Sequence, residues 1–287
     1  MAIYALCSAS GSPGVTTTAL GMALSWPRPV ILLEADPTGG SGILAGYFKG
    51  TRDDDGLVEL VVSARQGRLA ERLPELLMPV VGTHARLLAG SRAHEQSVGL
   101  SLVWDDLLAE LRNLGATGQD VIVDAGRLGL DGSPSPLIAA SDVTLLVLRS
   151  SLPAIAAAAS WAQSLKKRAG VGHTVGALVV GEGRPYGVRE VEAAVHVPAL
   201  GSIAWSPRDA RVLSEGAAVP AASFWRRLVR RDADQRRFEG APFVRSIAAA
   251  SESARKQARL VAEALGVVQE GLAVDPLGLH RQEGSRG

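Results

Sequence analysis

The sequence predicts a doubly wound α/β fold, a mostly parallel sheet with helices on both faces. Three observations carry this. Apolar strand-like runs alternate with helical stretches along the chain. Most of those runs are continuous rather than alternating, the pattern of central strands buried on both sides. Hydrophobic residues make up 47% of the 287 residues and aromatics only 4%, so the core is built from Ala, Val and Leu. That composition suits helices packed on a buried sheet better than a β-sandwich.

Taken in order, strands are expected at 3–7, 30–33, 86–88, 121–123, 143–148, 175–180 and 200–203. Helices are expected between and after them at 16–26, 56–64, 69–77, 102–114, 154–169, 188–195 and 210–215. After Gly216 the texture changes, and residues 223–240 hold six arginines against three acids. A helix over 244–265 follows, with Ile247, Ala250, Ala254, Ala258, Val261 and Leu265 on one apolar face.

Composition excludes several function classes. A net charge of +1 demands neither nucleic acid nor an anionic membrane as partner. The lone Cys7 rules out an internal disulfide, a cysteine zinc site and an iron–sulfur cluster built within one chain. The five histidines are scattered, without a metal-ligand pair at helical spacing. The sequence predicts no transmembrane segment, since no apolar run approaches about 18 residues. The first residues lack the basic region of a signal peptide, so a cytoplasmic location is the expectation.

Chemistry is concentrated in three places. The stretch 8–18, SASGSPGVTTT, joins the first strand to the first helix. Gly11 and Gly14 let the backbone curl with its N–H groups inward, and the helix start adds its positive dipole. Thr16 is placed to offer a hydroxyl to Mg²⁺. Taken alone, the stretch reads equally as a Gly/Ser/Pro turn. The second strand ends in Glu34 and Asp36, which at the carboxyl edge could hold Mg²⁺ or orient a water. The fourth expected strand runs into Asp124, as a Walker B strand does. Each acid could be a turn or cap residue, but three such signals stand in the right order.

In that order the chain resembles the ParA/MinD group of deviant-Walker-A P-loop ATPases. Residues 10–17, SGSPGVTT, match the family's lysine–glycine–glycine–any–glycine–lysine–threonine–threonine loop except at its lysines. EADPTGG (34–40) is similar to the Asp-any-Asp-Pro-Gln-Gly motif, and DVIVDAGR (120–127) to the Walker B strand. SDVTLLVLRSSLPAI (141–155) and VPALGSIAWSPRDARVLSEG (197–216) resemble the later segments. The resemblance runs from about residue 2 to 216; with the helix candidate after it, the P-loop domain is expected over 1–266, its residues 223–266 a basic, helical extension, and 267–287, with Pro276 and several glycines, a flexible tail.

It also implies ATP or ADP with Mg²⁺, a homodimer, and a switch that binds a partner. Carried over, Gly11, Ser12, Pro13, Gly14, Val15, Thr16 and Thr17 form the phosphate loop, with Thr16 on Mg²⁺ and Thr17 near the α-phosphate. Asp36 would orient the attacking water and assist the metal, and Asp124 would hold Mg²⁺. The departures fall on charge. Ser10 and Val15 replace the two loop lysines, and VVGEGRPYG (179–187) lacks the adenine-binding Asn. One lost charged hydrogen bond weakens binding about 10- to 200-fold, and a lost transition-state cation slows chemistry about 10²–10³-fold. Binding is expected to be weakened but retained, and hydrolysis weak or absent.

Arg127, Arg149 and Arg184 each follow a strand at the carboxyl edge; Arg127, three residues past Asp124, could swing to the phosphates as a substitute cation, or all three are solvated loop arginines. Arg226, Arg227, Arg230 and Arg231, interleaved with Phe224, Trp225, Leu228 and Val229, suit nonspecific DNA or a lipid surface, or a solvated helix face. The leading expectation is a positioning or assembly factor with a degenerate nucleotide site, its partner a protein of a positioning, secretion or pilus system. The alternatives are an active ATPase for chromosome or plasmid partitioning or septum placement, and a nucleotide-free scaffold or DNA-binding module.

Overall fold

The computed structural model describes residues 1–51, 56–114, 118–170, 172–220 and 231–266. Arg226, Arg227, Arg230 and the tail 267–287 lie outside the described residues, and of Arg231 only the backbone is described.

Strand β1 (Ile3–Ser8) leads through the glycine loop into helix α1 (Val15–Leu24). Strand β2 (Val30–Glu34) is followed by a single π-helical turn (Ile43–Tyr47), α2 (Gly56–Arg65), α3 (Leu69–Leu76), β3 (Met78–Pro79) and β4 (Ala85–Leu88). Next come α4 (His94–Leu100), α5 (Trp104–Leu114), β5 (Asp120–Arg127), α6 (Ser135–Ala139), β6 (Val143–Arg149) and α7 (Leu152–Arg168). The chain continues through β7 (Thr174–Val180), α8 (Val188–Val195), β8 (Ala199–Ile203), α9 (Pro207–Ser214), α10 (Arg231–Glu239) and α11 (Pro242–Ala264).

Among the described residues the strands form one eight-stranded sheet, ordered β3-β4-β2-β5-β1-β6-β7-β8. Every pairing is parallel except β3 with β4. All seven expected strands are present; the one not anticipated, β3, is a two-residue edge pairing that tolerates Pro79 because an edge needs no second donor. The fold is therefore the doubly wound α/β arrangement expected. Because β1 lies between β5 and β6, the winding reverses beside it, and that switch point is where ligands enter open α/β sheets.

Successive side chains of β1 serve opposite faces. Ile3, Ala5 and Cys7 join a core with Leu57, Leu107 and Ile155 from α2, α5 and α7. Tyr4 and Leu6 join Leu20 of α1 and Ile247 and Ala250 of α11 on the other side. Helix α11 buries Phe243, Ile247, Ala250, Ala254 and Ala258, a stripe at helical spacing. It packs closely because Gly21 and Gly201 carry no side chain: a Cβ there would stand 2.8 Å from Ile247 and 3.2 Å from Ala250. Leu265, expected in the same stripe, is 48% exposed because the helix end has run out to the turn at Gly172.

The opposite, amino edge is clamped by buried Asp120, which accepts hydrogen bonds from Ala2 N (2.9 Å), Trp26 Nε1 (2.9 Å) and Arg28 Nη2 (2.7 Å). That leaves the carboxyl edge to carry the loops. No helix of the described residues is long and apolar enough to cross a membrane.

Candidate nucleotide site

Strands β1, β2 and β5 end side by side, with Leu6 and Glu34 both in register with Asp124. The three sequence signals therefore converge on one point of the carboxyl edge. Gly11 (φ +35°) and Gly14 (φ +96°) bend the first loop through backbone conformations that side chains disfavour. A Cβ at either would meet nothing within 4 Å, so the space over the loop is open. Gly14 caps α1, and its carbonyl accepts from Thr18 N at 2.9 Å. The N–H groups of Val15, Thr16 and Thr17 open the helix and have no intrahelical acceptor, which makes them an anion cradle. Ser12 is exposed beside them and Pro13 is buried under the turn.

Val15 stands where a cation would be needed, and it is only 5% exposed. Its isopropyl group belongs to the apolar layer that contains Leu6, Leu20 and Ile43. The position has become part of the core. Val15→Lys should lower thermal stability, since that apolar burial is worth about 1.5–3 kcal/mol, while tightening Mg·ATP binding at least about tenfold. Melting curves with and without Mg·ATP check both signs.

Asp124 is wholly buried, with Oδ1 accepting from Gly126 N at 3.2 Å. Its Oδ2 is the buried side-chain oxygen left without a hydrogen-bond partner among the described residues. Burial pushes the Asp124 carboxyl up to about 7; Glu34 and Asp36 add to the shift, and the neighbouring Thr16 hydroxyl opposes it. A buried polar atom without a partner costs roughly 1–3 kcal/mol, and a metal-bound water is the kind of donor it lacks. The acid, the hydroxyl and the open cradle together fit Mg²⁺ with a phosphate ester. The described residues hold no cluster of three or more His, Cys, Asp or Glu able to enclose a metal alone.

Asp36 is fixed by its own turn, Oδ1 accepting from Thr38 N (2.9 Å) and Thr38 Oγ1 (2.8 Å). The carboxylate lies against the bare Cα of Gly126, where a Cβ would come within 2.2 Å of it. Glu34 has a different task from the one expected. It accepts from Ser41 Oγ, Gly90 N (3.1 Å) and Ile43 N (3.2 Å), tying the β2 and β4 loops together. Burial raises its pKa.

Arg127 ends β5 opposite Ser8 and is exposed, its side chain forming no hydrogen bond or ion pair among the described residues. Arg149 is the arginine that reaches the loop: Nη2 donates a long hydrogen bond to Ser12 O at 3.4 Å. Its Cζ lies 4.6 Å from the ring centre of Trp205, a residue to which sequence reasoning gave no role. Beside them opens a cavity of about 400 Å³ lined by Pro13, Thr17, Ile203, Trp205, Pro207 and Phe243. Ser206 caps α9, accepting from Asp209 N, and Pro207 occupies its first turn, which fixes Trp205 at the cavity mouth.

No protein-family model matches the chain, and no curated protein matches it. Solved structures do. The septum site-determining protein MinD of Pyrococcus horikoshii OT3, complexed with Mg-ADP, aligns with a TM-score of 0.67 at 15% identity, over 91% of this chain and 99% of its own. A ParA family ATPase from Chlorobium tepidum TLS gives 0.63 at 12% identity, over 88% and 97%. A chain of the MinC:MinD cell division complex of Aquifex aeolicus gives 0.60 at 16% identity, over 88% and 94%. The chain has the fold of the MinD and ParA P-loop ATPases.

Proposed function

We propose that this chain, built on the MinD/ParA fold, is a positioning or assembly factor. It would bind ATP or ADP with Mg²⁺ weakly, dimerise when loaded and engage a protein partner, with little or no hydrolysis. The observation that carries the reading is the unpartnered Asp124 Oδ2 beside Thr16, under an open glycine cradle at the switch point. Mg²⁺, when bound, would offset triphosphate charge that the loop no longer meets with lysines. The loop N–H groups would bind phosphate, the Thr16 hydroxyl and Asp124 would hold the metal, and Asp36, aligned by Thr38, would orient a water. The charge that develops on phosphoryl transfer finds no loop cation, which argues for slow turnover, about 10²–10³-fold per missing group.

Dimerisation is supported by exposed apolar residues on the segments that follow β4 and β6, Val98 (52%), Leu102 (72%) and Leu152 (62%). That the MinD of Aquifex aeolicus is known in complex with MinC supports a protein as partner. Sedimentation velocity during titration with Mg·ATP tests both parts: a shift from monomer to dimer is expected. No change in mass and no bound nucleotide at millimolar ATP would leave the nucleotide-free scaffold.

Electrostatics give a further expectation. Glu34 and Asp36 each act electrostatically on Asp124 at this edge, so metal-free triphosphate meets like charge wherever these acids are ionised. Chelating Mg²⁺ should therefore weaken ATP binding by at least about tenfold, as read by calorimetry with and without EDTA.

A further inference from the structure

We propose that Arg149 is the phosphate-binding cation of this site, standing in from outside the loop for the two positions that carry no charge. The inference rests on the nucleotide reading above. It goes beyond it by naming the residue that makes the site workable and by displacing Arg127 from that role.

Position comes first. Strand β6 runs beside β1, with Cys7 opposite Leu146, so a residue three places further along β6 leaves the sheet next to the glycine loop. Arg149 is that residue, and Ser150 behind it anchors the backbone. Ser150 is buried, with Oγ donating to Gly181 O at 2.6 Å and accepting from Arg184 N at 3.1 Å. The base of the Arg149 side chain is thus fixed to the β7–α8 loop while its head is exposed.

The head is held loosely. Its contacts are the 3.4 Å hydrogen bond to Ser12 O and the face of Trp205 at 4.6 Å, and it forms no ion pair among the described residues. An uncompensated guanidinium on one carbonyl and one indole face is weakly tethered. A phosphate offers two parallel charge-assisted hydrogen bonds, for which the planar guanidinium is shaped. Arg149 also lines the cavity of about 400 Å³ that includes Gly14 and Thr17, where the cradle N–H groups lie. Ile203, Trp205, Pro207 and Phe243 give the cavity an apolar side, which suits the nucleoside part of a ligand. Gly181 (φ +76°) keeps the second arginine close as well: a Cβ there would touch Trp205 at 3.4 Å and Arg184 Cδ at 3.6 Å.

Arg149 is exposed, so its replacement leaves the fold intact. Calorimetric titration of wild type, Arg149→Ala, Arg149→Lys and Arg127→Ala with Mg·ATP and, separately, with adenosine tests the assignment. Arg149→Ala should weaken Mg·ATP about 10- to 100-fold, with adenosine changed by less than about threefold. Arg149→Lys should restore only part of the loss, and Arg127→Ala should match wild type. Wild-type Mg·ATP affinity in Arg149→Ala, or an equal loss for adenosine, would overturn the proposal while leaving the nucleotide reading standing. No binding of Mg·ATP by the wild type at millimolar concentration would overturn both.

Discussion

Asp124→Asn is expected to raise the stability of the ligand-free protein at pH 8 and to remove the stabilisation that Mg·ATP brings. The carboxyl is fully buried, and burial moves it up to about 7, against about 4 in the unfolded chain. Below about pH 4 it is protonated in both states and contributes no penalty. Between about pH 4 and 7 the folded protein keeps a proton that the unfolded chain has released, so stability falls as pH rises. Above the folded value both states are ionised and the full penalty applies, at most about 4 kcal/mol for such a difference. Asparagine carries no charge, and its amide can keep the Gly126 N–H bond through its oxygen. Thermal unfolding at pH 5 and pH 8 reads the result. Wild type should lose several degrees between the two, at about 2–4 °C per kcal/mol for a chain of this size, and the variant should lose much less. A wild type whose stability is flat or rises over that interval would refute the assignment. Mg·ATP should then raise the melting temperature of wild type and leave the variant unmoved.

Gly126→Ala should damage the site from the other side. The backbone there has φ +59°, and a Cβ would lie 2.2–2.5 Å from the three terminal atoms of the Asp36 carboxyl group. Left-handed backbone alone costs a side chain about 1–2 kcal/mol, and the overlap adds about as much again. The carboxylate must leave its place, breaking its bonds from Thr38 N and Thr38 Oγ1. The variant should melt several degrees lower and bind Mg·ATP at least about tenfold more weakly. Two controls separate strain from displacement. Gly118→Ala, at φ +78° with nothing within 4 Å, should show the backbone cost and normal ligand binding. Adding Asp36→Ala to Gly126→Ala should recover part of the lost stability, because the two changes share one contact. Strict additivity would show that the steric argument is wrong.

How much of this was legible in the sequence depends on what each feature rests on. The buried strands follow from continuous apolar runs, and the seven that were expected are in the sheet. The elements not foreseen have local signals too weak to register. Helix α4 carries only Ser97 and Leu100 inward, and the π-helical turn owes its place to tertiary packing, where a Cβ on Gly46 would overlap Ser214 O at 2.0 Å. Helix α9 begins at Pro207 rather than at 210 because Ser206 caps it, a signal present in the sequence but outweighed by the apolar spacing.

At the site, Asp36, Asp124 and Thr16 fell together because strand order dictates it. Glu34 differed because its partners, Ser41, Ile43 and Gly90, come from segments whose path no local pattern reveals. Arg127 and Arg149 look equivalent in sequence, each ending a strand. Side-chain direction separates them, and that depends on Trp205, far along the chain and itself positioned by the cap of α9.

A site that holds a nucleotide without cutting it has two measurable halves, and equilibrium dialysis of the full chain against γ-labelled ATP with Mg²⁺ reads both at once. Excess label is expected on the protein side, recovered as intact ATP over hours. Equal label in both chambers at millimolar ATP, or label that accumulates as free phosphate at a rate abolished by Asp36→Ala, would contradict it.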